Sequence, residues 1–482
     1  MNTLIRAFEN EQAESFTVNR AKTYNTTMNH IVDLFAMGGA LRNRTEDDIK
    51  MMFSLSFAED ELLALKLLFY LRDIREGIGE RRTFRICLQH LGNVHPEIII
   101  KNFDNIVEFG RWDDLLILLD TRAEMATLNY IVEAIKKDLE SDQISLLAKW
   151  LPSLNASSKK TKHYARKICK YTRFSPRGYR KYLSEQRAQL NIVETLLSEK
   201  RYDEIDYSKL PSRALFMYRE AFAKHDFEKY NDFFHSVEKG EAKINTKNVL
   251  PYEIVHEYLL GKREPIQNLE TTWKNLSDYT NDKNSLVVVD TSGSMLSGKN
   301  YSPMSVSLSL GIYFAERNKG AFNNHFMTFS AKPKLQKIKG NSLYEKVFNL
   351  QKADWGMNTN LELVFQNILD FGIKHNVPSN EMPETIFIVS DMEFDACVKS
   401  DDKNFEKIKQ LYQDSGYDIP LLVFWNVNSM QNNVPVKENE KGVVLVSGLS
   451  PIIFKMVVEK DYSPLSFVLK TINKERYEKI KI

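Results

Sequence analysis

Five oxygen-bearing side chains in three separate segments have the types and order of a cation site. Asp290, Ser292 and Ser294 form the pattern DxSxS directly after the apolar run SLVVV. Thr359 lies in GMNTNLELVF, ahead of a predicted helix, and Asp391 closes the run TIFIVSD. Hard divalent cations prefer oxygen ligands in an octahedron, and hydroxyl groups fill that sphere without cancelling the charge. The five residues therefore predict a Mg²⁺ or Mn²⁺ site.

The segments that carry these side chains alternate between short apolar strands and helices. Predicted strands lie at SLVVVD, NNHFMTFS, ETIFIVSD, IPLLVFWNV and GVVLVSG, with helical spacing of apolar residues between them. This alternation predicts a Rossmann-like, doubly wound α/β sheet, in which ligands bind at the carboxyl ends of the strands. Residues 284–482 are therefore predicted to form one α/β domain, with the cation site at the carboxyl edge of its sheet.

The preceding residues, 1–283, have a different pattern. Apolar residues recur at helical spacing in segments such as EDELLALKLLFYLRDIR and LNYIVEAIKKDLES, and short breaks with Gly, Asp or Pro separate the segments. This pattern predicts an all-α, antiparallel array that resembles HEAT repeats, although the sequence shows no fixed period.

Two other interpretations use residues near the predicted site. GSMLSGKN, residues 293–300, comes within one residue of the phosphate loop GxxxxGK[ST], but Asn300 replaces the hydroxyl that would bind Mg²⁺. The following SPM also delays the helix that should begin at the lysine, so nucleotide hydrolysis is disfavoured. The remaining nearby acids are interpreted as ordinary solvated loop residues: Asp354, Glu393 and Asp395.

A strongly basic segment lies in the helical part, between Ser158 and Leu190. It holds eleven Lys or Arg residues against the single acid Glu185, with tyrosines and a phenylalanine interleaved. Basic side chains neutralise phosphates and aromatic faces stack on unpaired bases, so this mixture predicts binding of single-stranded or small structured RNA. The predicted RNA-binding residues are Lys160, Lys162, Arg166, Lys170, Arg173, Arg177 and Arg180.

The basic segment also has an ordinary explanation. Aromatic residues at spacings of three and four would form the core face of a helix, and the charges would form its solvated face. A second cluster, LRDIREGIGERRTFR, contains arginines at positions 72, 75, 81, 82 and 85 together with acids at 73, 76 and 80. Intrahelical salt bridges would account for much of that cluster, which makes it a weaker sign of polyanion binding.

Composition excludes several classes of protein. The 482 residues include 66 basic and 64 acidic ones, so the net charge of +2 indicates no partner. The first residues lack the apolar core of a signal peptide, and no stretch approaches the roughly 20 apolar residues that span a bilayer. Cys87, Cys169 and Cys397 are far apart and form no CxxC pair, which favours a reducing compartment and predicts a cytoplasmic protein.

The DxSxS pattern, the later threonine and the later aspartate together resemble the von Willebrand factor A-type (vWA) domain with its metal-ion-dependent adhesion site (MIDAS). In that family, the residues matching Ser292, Ser294 and Thr359 bind the metal directly in one state or another. Those matching Asp290 and Asp391 bind it largely through water, and a partner's carboxylate supplies the sixth ligand. The resemblance therefore implies a docking site and not a catalytic centre.

A helical array followed by a vWA-type domain resembles the TROVE module of Ro-type RNA-binding proteins. The phrases LRDIREGIGERRTFR, AKWLPSL, LPSRALFMYREAF and GEAKIN followed by PYEIV are more similar to an uncharacterised DUF2828-type family, over nearly the whole chain. Kinship with Ro-like proteins implies a ring of helical repeats closed by the vWA-type domain. Such a ring holds single-stranded RNA ends in a basic hole and small structured RNA on its outer surface.

The sequence thus leads to one hypothesis and one alternative. The hypothesis is a non-catalytic RNA-binding protein of the ribonucleoprotein kind, whose vWA-type domain docks an acidic protein ligand through Mg²⁺ or Mn²⁺. The alternative is a metal-dependent protein–protein adaptor that binds no RNA and whose basic segment is a solvated helix. No nucleophile and base pair indicates an enzyme, and no membrane partner is expected.

Overall fold

The computed structural model describes residues 11–262, 264–280, 283–296, 302–329, 333–351, 359–397, 403–457, 459 and 461–482. Its strands are β1 (Glu14–Phe16), β2 (Lys22–Tyr24), β3 (Ser285–Val289), β4 (His325–Thr328), β5 (Leu335–Lys337), β6 (Thr385–Ser390), β7 (Leu421–Asn426) and β8 (Val443–Ser447). In chain order, its α-helices are α1 (His30–Gly38), α2 (Glu46–Glu59), α3 (Glu61–Arg72), α4 (Arg82–Val94), α5 (Pro96–Lys101), α6 (Phe103–Phe109), α7 (Glu124–Glu140), α8 (Leu147–Trp150), α9 (Lys159–Tyr171), α10 (Pro176–Gln189), α11 (Val193–Ser198), α12 (Ser212–Met217), α13 (Arg219–His225), α14 (Phe227–Glu238), α15 (Pro251–Leu259), α16 (Gln267–Lys274), α17 (Pro303–Arg317), α18 (Leu343–Gln351), α19 (Leu361–Lys374), α20 (Asn404–Ser415), α21 (Ile452–Met456) and α22 (Pro464–Ile472).

The chain divides into two compact units that are both discontinuous in sequence. The sheet unit combines Met1–Leu67 with Val249–Lys474, and the helical unit combines Leu68–Asn248 with Glu475–Ile482. The sequence predicts one boundary, between residues 283 and 284. The contacts instead place residues 1–67 and 249–283 in the sheet unit and residues 475–482 in the helical unit. Among the described residues, no helix has the length and apolar character that crossing a membrane requires.

The sheet unit is built on six strands in the order β5-β4-β3-β6-β7-β8. All neighbouring pairs are parallel except β4 with β5, which is antiparallel. Every residue of β3, β6, β7 and β8 is buried, as expected for parallel strands that helices cover on both faces. The predicted fold class, a helical region followed by an α/β sheet, is confirmed, and all five predicted strands are present.

The edge strand β5 was not predicted from the sequence. It has three residues, LQK, and two of them are exposed. A strand so short and so polar carries no alternating or continuous apolar pattern, so only its pairing with β4 identifies it.

The N-terminal residues of the sheet unit form a hairpin, β1–β2, followed by helix α1, which packs on β8 and α22. The amide of Gly39 donates to the Ser447 hydroxyl at 2.9 Å, and that hydroxyl donates to the Phe35 carbonyl at 2.8 Å. A Cβ on Gly39 would lie 2.7 Å from the Ser447 carbonyl oxygen, so glycine permits this close approach. Helical periodicity predicts α1 correctly but cannot show that its apolar face covers a sheet.

Two apolar clusters are buried among the described residues of the helical unit. The first lies between α7, α9 and α10 and includes Ile131, Ile168, Tyr179 and Leu183. The second lies between α11 and α14 and includes Phe222 and Tyr230, both fully buried. These short amphipathic helices follow the predicted helical spacing and place their charged faces in solvent.

The last residues of the chain pack within the helical unit. Arg476 makes a bidentate ion pair with Asp73, with nitrogen–oxygen distances of 2.5 and 2.8 Å. The ring of Tyr477 stacks on that of Phe109 at 5.4 Å between centroids. Helix α22 therefore ends at Ile472, and Glu475–Ile482 belong to another core.

Candidate cation site and basic surface

The order of the strands brings two of the predicted ligands together. β3 and β6 are parallel neighbours in a register that pairs Val289 with Val389, so Asp290 and Asp391 follow adjacent strands at the same edge. The chain leaves β3 towards β4 on one side, while β6 lies on the other side, which creates the crevice where ligands of α/β sheets bind. Helix α17 packs closely here, since a Cβ on Gly311 would lie 2.7 Å from the Val289 side chain.

The loop after β3 folds around the carboxylate of Asp290. Its Oδ1 accepts a hydrogen bond from the Ser292 amide at 2.9 Å, and its Oδ2 accepts one from the Ser390 hydroxyl at 2.6 Å. The hydroxyl oxygens of Ser292 and Ser294 lie 3.0 Å apart. Short turns that a carboxylate closes on its own backbone are typical of Asp, and here the turn gathers hydroxyls at one place.

Both carboxylates at this edge have raised pKa values. Burial, reinforced by the nearby Asp391, raises the pKa of Asp290 to about 7. Burial likewise raises the pKa of Asp391, although hydrogen bonds from the Ser294 hydroxyl and the Glu393 amide oppose that rise. Within the part of the chain that the structure describes, no basic side chain lies within 4 Å of either carboxylate.

The donor set fits a hard divalent cation. Two buried carboxylates without a described counter-ion, together with neighbouring hydroxyls, supply oxygen ligands and a negative field that Mg²⁺ or Mn²⁺ would neutralise. The hydroxyl of Thr291 is also buried, and it has no hydrogen-bond partner among the described residues. Among the described residues, no group of three or more His, Cys, Asp or Glu side chains could hold a metal ion.

Thr359 is tied to the same edge through Asp395. The Thr359 amide donates to Asp395 Oδ2 at 2.8 Å, and the Asp395 amide donates to the Thr359 carbonyl at 3.1 Å. Thr359 is buried, and Asn360 caps the start of α19. The structure thus links Asp290, Ser292, Ser294 and Asp391 directly and places Thr359 beside the loop that follows Asp391.

The interpretation of Glu393 and Asp395 as solvated loop acids is wrong. Glu393 is only 5% exposed, and its carboxylate accepts from the Val18 amide at 2.7 Å and from the Asn433 side chain at 2.9 and 3.0 Å. Asp395 is partly buried and holds the Thr359 backbone. Their neighbours in space come from distant parts of the sequence, so local sequence gave no signal. Asp354 and the phosphate-loop residues Lys299 and Asn300 lie outside the described residues.

Ser390 is a further site residue that sequence reasoning missed. It is fully buried, donates to Asp290 and accepts from the Met392 amide at 3.1 Å. A serine at the end of an apolar strand, next to Asp391, was the available signal.

The basic segment forms helices α9 and α10, and its aromatic residues face the core. Tyr164, Tyr179 and Tyr182 are at most 6% exposed, and Phe174 stacks on Tyr182 at 5.6 Å between centroids. Tyr171 and Phe174 are partly buried against the same cluster. The expectation that these rings stack on RNA bases is therefore wrong, because the helical spacing that interleaves them with Lys and Arg turns them inward.

Among the described residues, three of the eleven cations in this segment form ion pairs or hydrogen bonds within the protein, and Lys160 lies over the Tyr164 ring at 5.7 Å. Lys167 pairs with Asp120 and Glu124, and Arg187 donates to the carbonyls of Ala148 and Leu151. Lys181 pairs with Glu185. The other eight are named the basic face: Lys159, Lys160, Lys162, Arg166, Lys170, Arg173, Arg177 and Arg180.

The basic face is open to solvent and carries no acid of its own. Its members are exposed apart from Lys162, which is partly buried. Among the described residues, none of the eight forms an ion pair. All seven predicted RNA-binding residues belong to this set of eight, whose exposed charges could neutralise phosphates.

Two arginines of the second cluster, Arg72 and Arg85, pair with acids inside the protein. Arg72 is 2% exposed and pairs with Asp114 at 2.7 Å, and Arg85 pairs with Asp113 and Asp114 at 2.7 and 2.6 Å. Salt bridges thus explain these arginines, as expected, but the partners lie in the 3₁₀ helix Trp112–Asp120 and not in the same helix.

Comparisons with known proteins identify two families and a full-length relative. Residues 17–137 and 158–290, more than half of the chain, match the family described as Domain of unknown function (DUF2828). Residues 284–479 match a second family, Domain of unknown function (DUF7788). A curated relative, "Uncharacterized protein L728" of Acanthamoeba polyphaga mimivirus, is 32% identical over 512 aligned residues, which cover 95% of this chain and 87% of that protein.

One solved structure is similar over most of its length, the crystal structure of the Deinococcus radiodurans RO (RSR) protein. It covers 93% of both chains at 13% identity, with a TM-score of 0.36. That score is too low to support an argument about function. The two sequence comparisons, in contrast, confirm the resemblance inferred from the scattered phrases, and this chain belongs to the DUF2828 family.

Proposed function

We propose that the protein is a non-catalytic RNA-binding protein whose basic face contacts the phosphate backbone. The observation that carries this proposal is the set of eight cations on α9, on α10 and in the turn between them that lack acidic partners among the described residues. The protein as a whole is nearly neutral, so this concentration of positive charge is local. Exposed, unpaired Lys and Arg side chains attract polyanions by releasing the counterions condensed on them.

The burial of the aromatic rings narrows the kind of RNA expected. Without exposed rings to stack on bases, the basic face favours small structured RNA, recognised through phosphates, over single-stranded RNA held by stacking. Within the described structure, Cys87, Cys169 and Cys397 form no disulfide, which fits a protein of a reducing, cytoplasmic compartment.

The test is a filter-binding titration of the full chain with an RNA hairpin and with a single-stranded RNA of equal length. We expect the triple variant Arg166→Glu, Lys170→Glu, Arg173→Glu to bind the hairpin at least about 100-fold more weakly, because it turns three attractive charges into repulsive ones. The matched control is Lys137→Glu, Lys224→Glu, Lys239→Glu, which changes the net charge equally on exposed residues elsewhere in the same unit. Equal losses in the two variants, or no binding by the unaltered chain, would refute the proposal.

A second function is favoured by the two buried carboxylates at the sheet edge. We propose that the sheet unit is a vWA-type domain whose MIDAS would hold Mg²⁺ or Mn²⁺ with Ser292, Ser294 and Thr359, supported by Asp290 and Asp391. The bound cation would supply an open coordination position for a carboxylate. The residues of the chain orient the hydroxyls and leave the cation's charge incompletely neutralised, which favours an acidic protein ligand.

Thermal unfolding with added Mg²⁺ or Mn²⁺, and with EDTA, tests the cation site. We expect saturating cation to raise the melting temperature of the unaltered chain and EDTA to reverse that rise, because ligands that bind the folded state stabilise it. Ser292→Ala removes one ligand hydroxyl and should abolish the response, whereas Ser208→Ala, an exposed serine of the helical unit, should leave it intact. A response that persists in Ser292→Ala would place the cation elsewhere.

A further inference from the structure

We infer that the N-terminal hairpin, through residues 17–20, is a positioning element of the cation site. The inference rests on the proposed cation site and adds a segment that lies more than 370 residues away in the sequence. Within the described residues, the hairpin's hydrogen bonds to this region go to Glu393, Phe394 and Asp395 and not to the predicted ligands themselves. It acts on the loop of residues 391–395, which begins with one ligand and supports another.

Three hydrogen bonds fix the hairpin to the middle of this loop. The Thr17 hydroxyl donates to the Phe394 carbonyl at 2.7 Å, and the Val18 amide donates to the Glu393 carboxylate at 2.7 Å. The Asn19 side chain donates to the Glu393 carbonyl, also at 2.7 Å. Arg20 adds an antiparallel backbone bridge to Asp395, so four consecutive hairpin residues contact three consecutive loop residues.

The loop needs such support because its backbone is strained. Met392, between Asp391 and Glu393, has φ +69, in the left-handed region that is unfavourable for a residue other than glycine. Met392 is nevertheless buried at 4% exposure, so the strained conformation is held in place by its surroundings. The contacts on Glu393 and Phe394 come directly after the strained residue.

The same loop hydrogen-bonds two predicted ligands, Asp391 and Thr359. The Glu393 amide donates to Asp391 Oδ1 at 3.2 Å, which orients the ligand carboxylate. Asp395 holds the Thr359 backbone through its carboxylate and its amide. Glu393 and Asp395 therefore orient two predicted ligands, Asp391 and Thr359. The hairpin hydrogen-bonds the loop that connects Glu393 to Asp395.

Asn19 permits a test that leaves the core of the protein unchanged. Its side chain is exposed, and its hydrogen bonds among the described residues go to the loop, at the Glu393 carbonyl and the Asp395 carboxylate. Asn25 is a matched control, since it is also exposed, lies just after the same hairpin and hydrogen-bonds the Gln12 carbonyl and not the loop. Asn19→Ala and Asn25→Ala remove the same atoms, but only the first removes hydrogen bonds to the loop of residues 391–395.

The experiment is a Mn²⁺ titration of the full chain by calorimetry, combined with hydrogen exchange of the amides of residues 391–395 and 359 without metal. We expect Asn19→Ala to bind Mn²⁺ about three- to tenfold more weakly than the unaltered chain, as the loss of one or two hydrogen bonds implies, and to exchange these amides faster. Asn25→Ala should match the unaltered chain in both measurements. Thr17→Val, which deletes the hydroxyl bonded to Phe394 with little change of shape, should repeat the effects of Asn19→Ala.

Two kinds of failure are distinguishable. If the unaltered chain binds Mn²⁺ but Asn19→Ala and Thr17→Val bind it equally well, the positioning role is refuted and the cation site stands. If the unaltered chain binds no Mn²⁺, the cation site is refuted and the inference falls with it. Faster exchange with unchanged Mn²⁺ affinity would also count against the inference, because it would make the hairpin structural only.

Discussion

The helical unit and the sheet unit both bury carboxylates, but they treat them in opposite ways. Asp114 in the helical unit is fully buried and is paired with Arg72 and Arg85. Asp290 and Asp391 in the sheet unit are buried as deeply, and no described basic side chain pairs with them. Because a buried charge is costly without a partner, the first arrangement is stabilised by its arginines, while the second has no described counter-charge, and the proposed cation would supply one.

The same contrast separates the two basic segments within the helical unit. Arg72 and Arg85 form ion pairs with Asp114 and Asp113 inside the protein, whereas the basic face has no described acidic partner. Clusters of like charge therefore point to a function only where the fold leaves them unneutralised. Substitutions at both kinds of position test this distinction between paired and unpaired charges.

The largest effect is expected at the paired carboxylate. Asp114→Asn leaves two arginines without their shared buried partner and should lower the free energy of unfolding by about 3–5 kcal/mol, measured with urea. Asp142→Asn, an exposed residue of the same unit, should change it by less than about 0.5 kcal/mol. If Asp114→Asn lowered the free energy of unfolding by less than about 1 kcal/mol, the buried, paired carboxylate would not contribute more to stability than an exposed one, and the distinction would fail.

At the unpaired carboxylate we expect the opposite sign. Asp391→Asn removes one of two adjacent buried charges and should raise the free energy of unfolding of the metal-free protein by about 1 kcal/mol. It should also abolish the stabilisation by Mg²⁺, which for the unaltered chain reaches about 2.7 kcal/mol at 100 times the dissociation constant. A destabilised metal-free Asp391→Asn protein would instead identify Asp391 as a structural residue.

The basic face should be visible in the salt dependence of RNA binding. Replacing Arg166, Lys170 and Arg173 by Gln removes up to three phosphate contacts and should reduce the slope of log affinity against log salt by about 2 to 3. Arg85→Gln, in the paired cluster, should leave the slope unchanged in whatever fraction of the protein stays folded. Equal slopes for the triple variant and the unaltered chain would exclude these residues from the interface.

The smallest expected effect is on stability at the basic face. Arg166→Ala should change the free energy of unfolding by less than about 0.5 kcal/mol, because the side chain is exposed and has no described acidic partner. A loss above about 1 kcal/mol in urea unfolding would reveal an internal role and weaken the assignment of this face to RNA.

Much of the architecture could be predicted from the sequence. Continuous apolar runs define the buried parallel strands, because strands covered on both faces have no polar side. Helical spacing defines most helices, and the DxSxS pattern at the end of β3 indicates where oxygen ligands collect. The local turn on Asp290, closed by the Ser292 amide, follows from the same short stretch.

Other features were decided by tertiary structure. The boundary between the units could not be predicted, because periodicity shows that α1 buries a face but not that the face covers β8. Glu393 looked solvated, yet Val18 and Asn433 enclose it from distant positions. The tyrosines of α9 and α10 looked available for stacking, yet the same spacing turned them into the core.

The sequence by itself thus determined which residues could form strands, helices and an oxygen-rich loop, because those properties depend on neighbours within a few positions. Only the tertiary structure decided which charges are neutralised, since an ion pair such as Arg72–Asp114 joins residues 42 positions apart. The candidate sites of this protein are the places where that long-range pairing is left incomplete among the described residues.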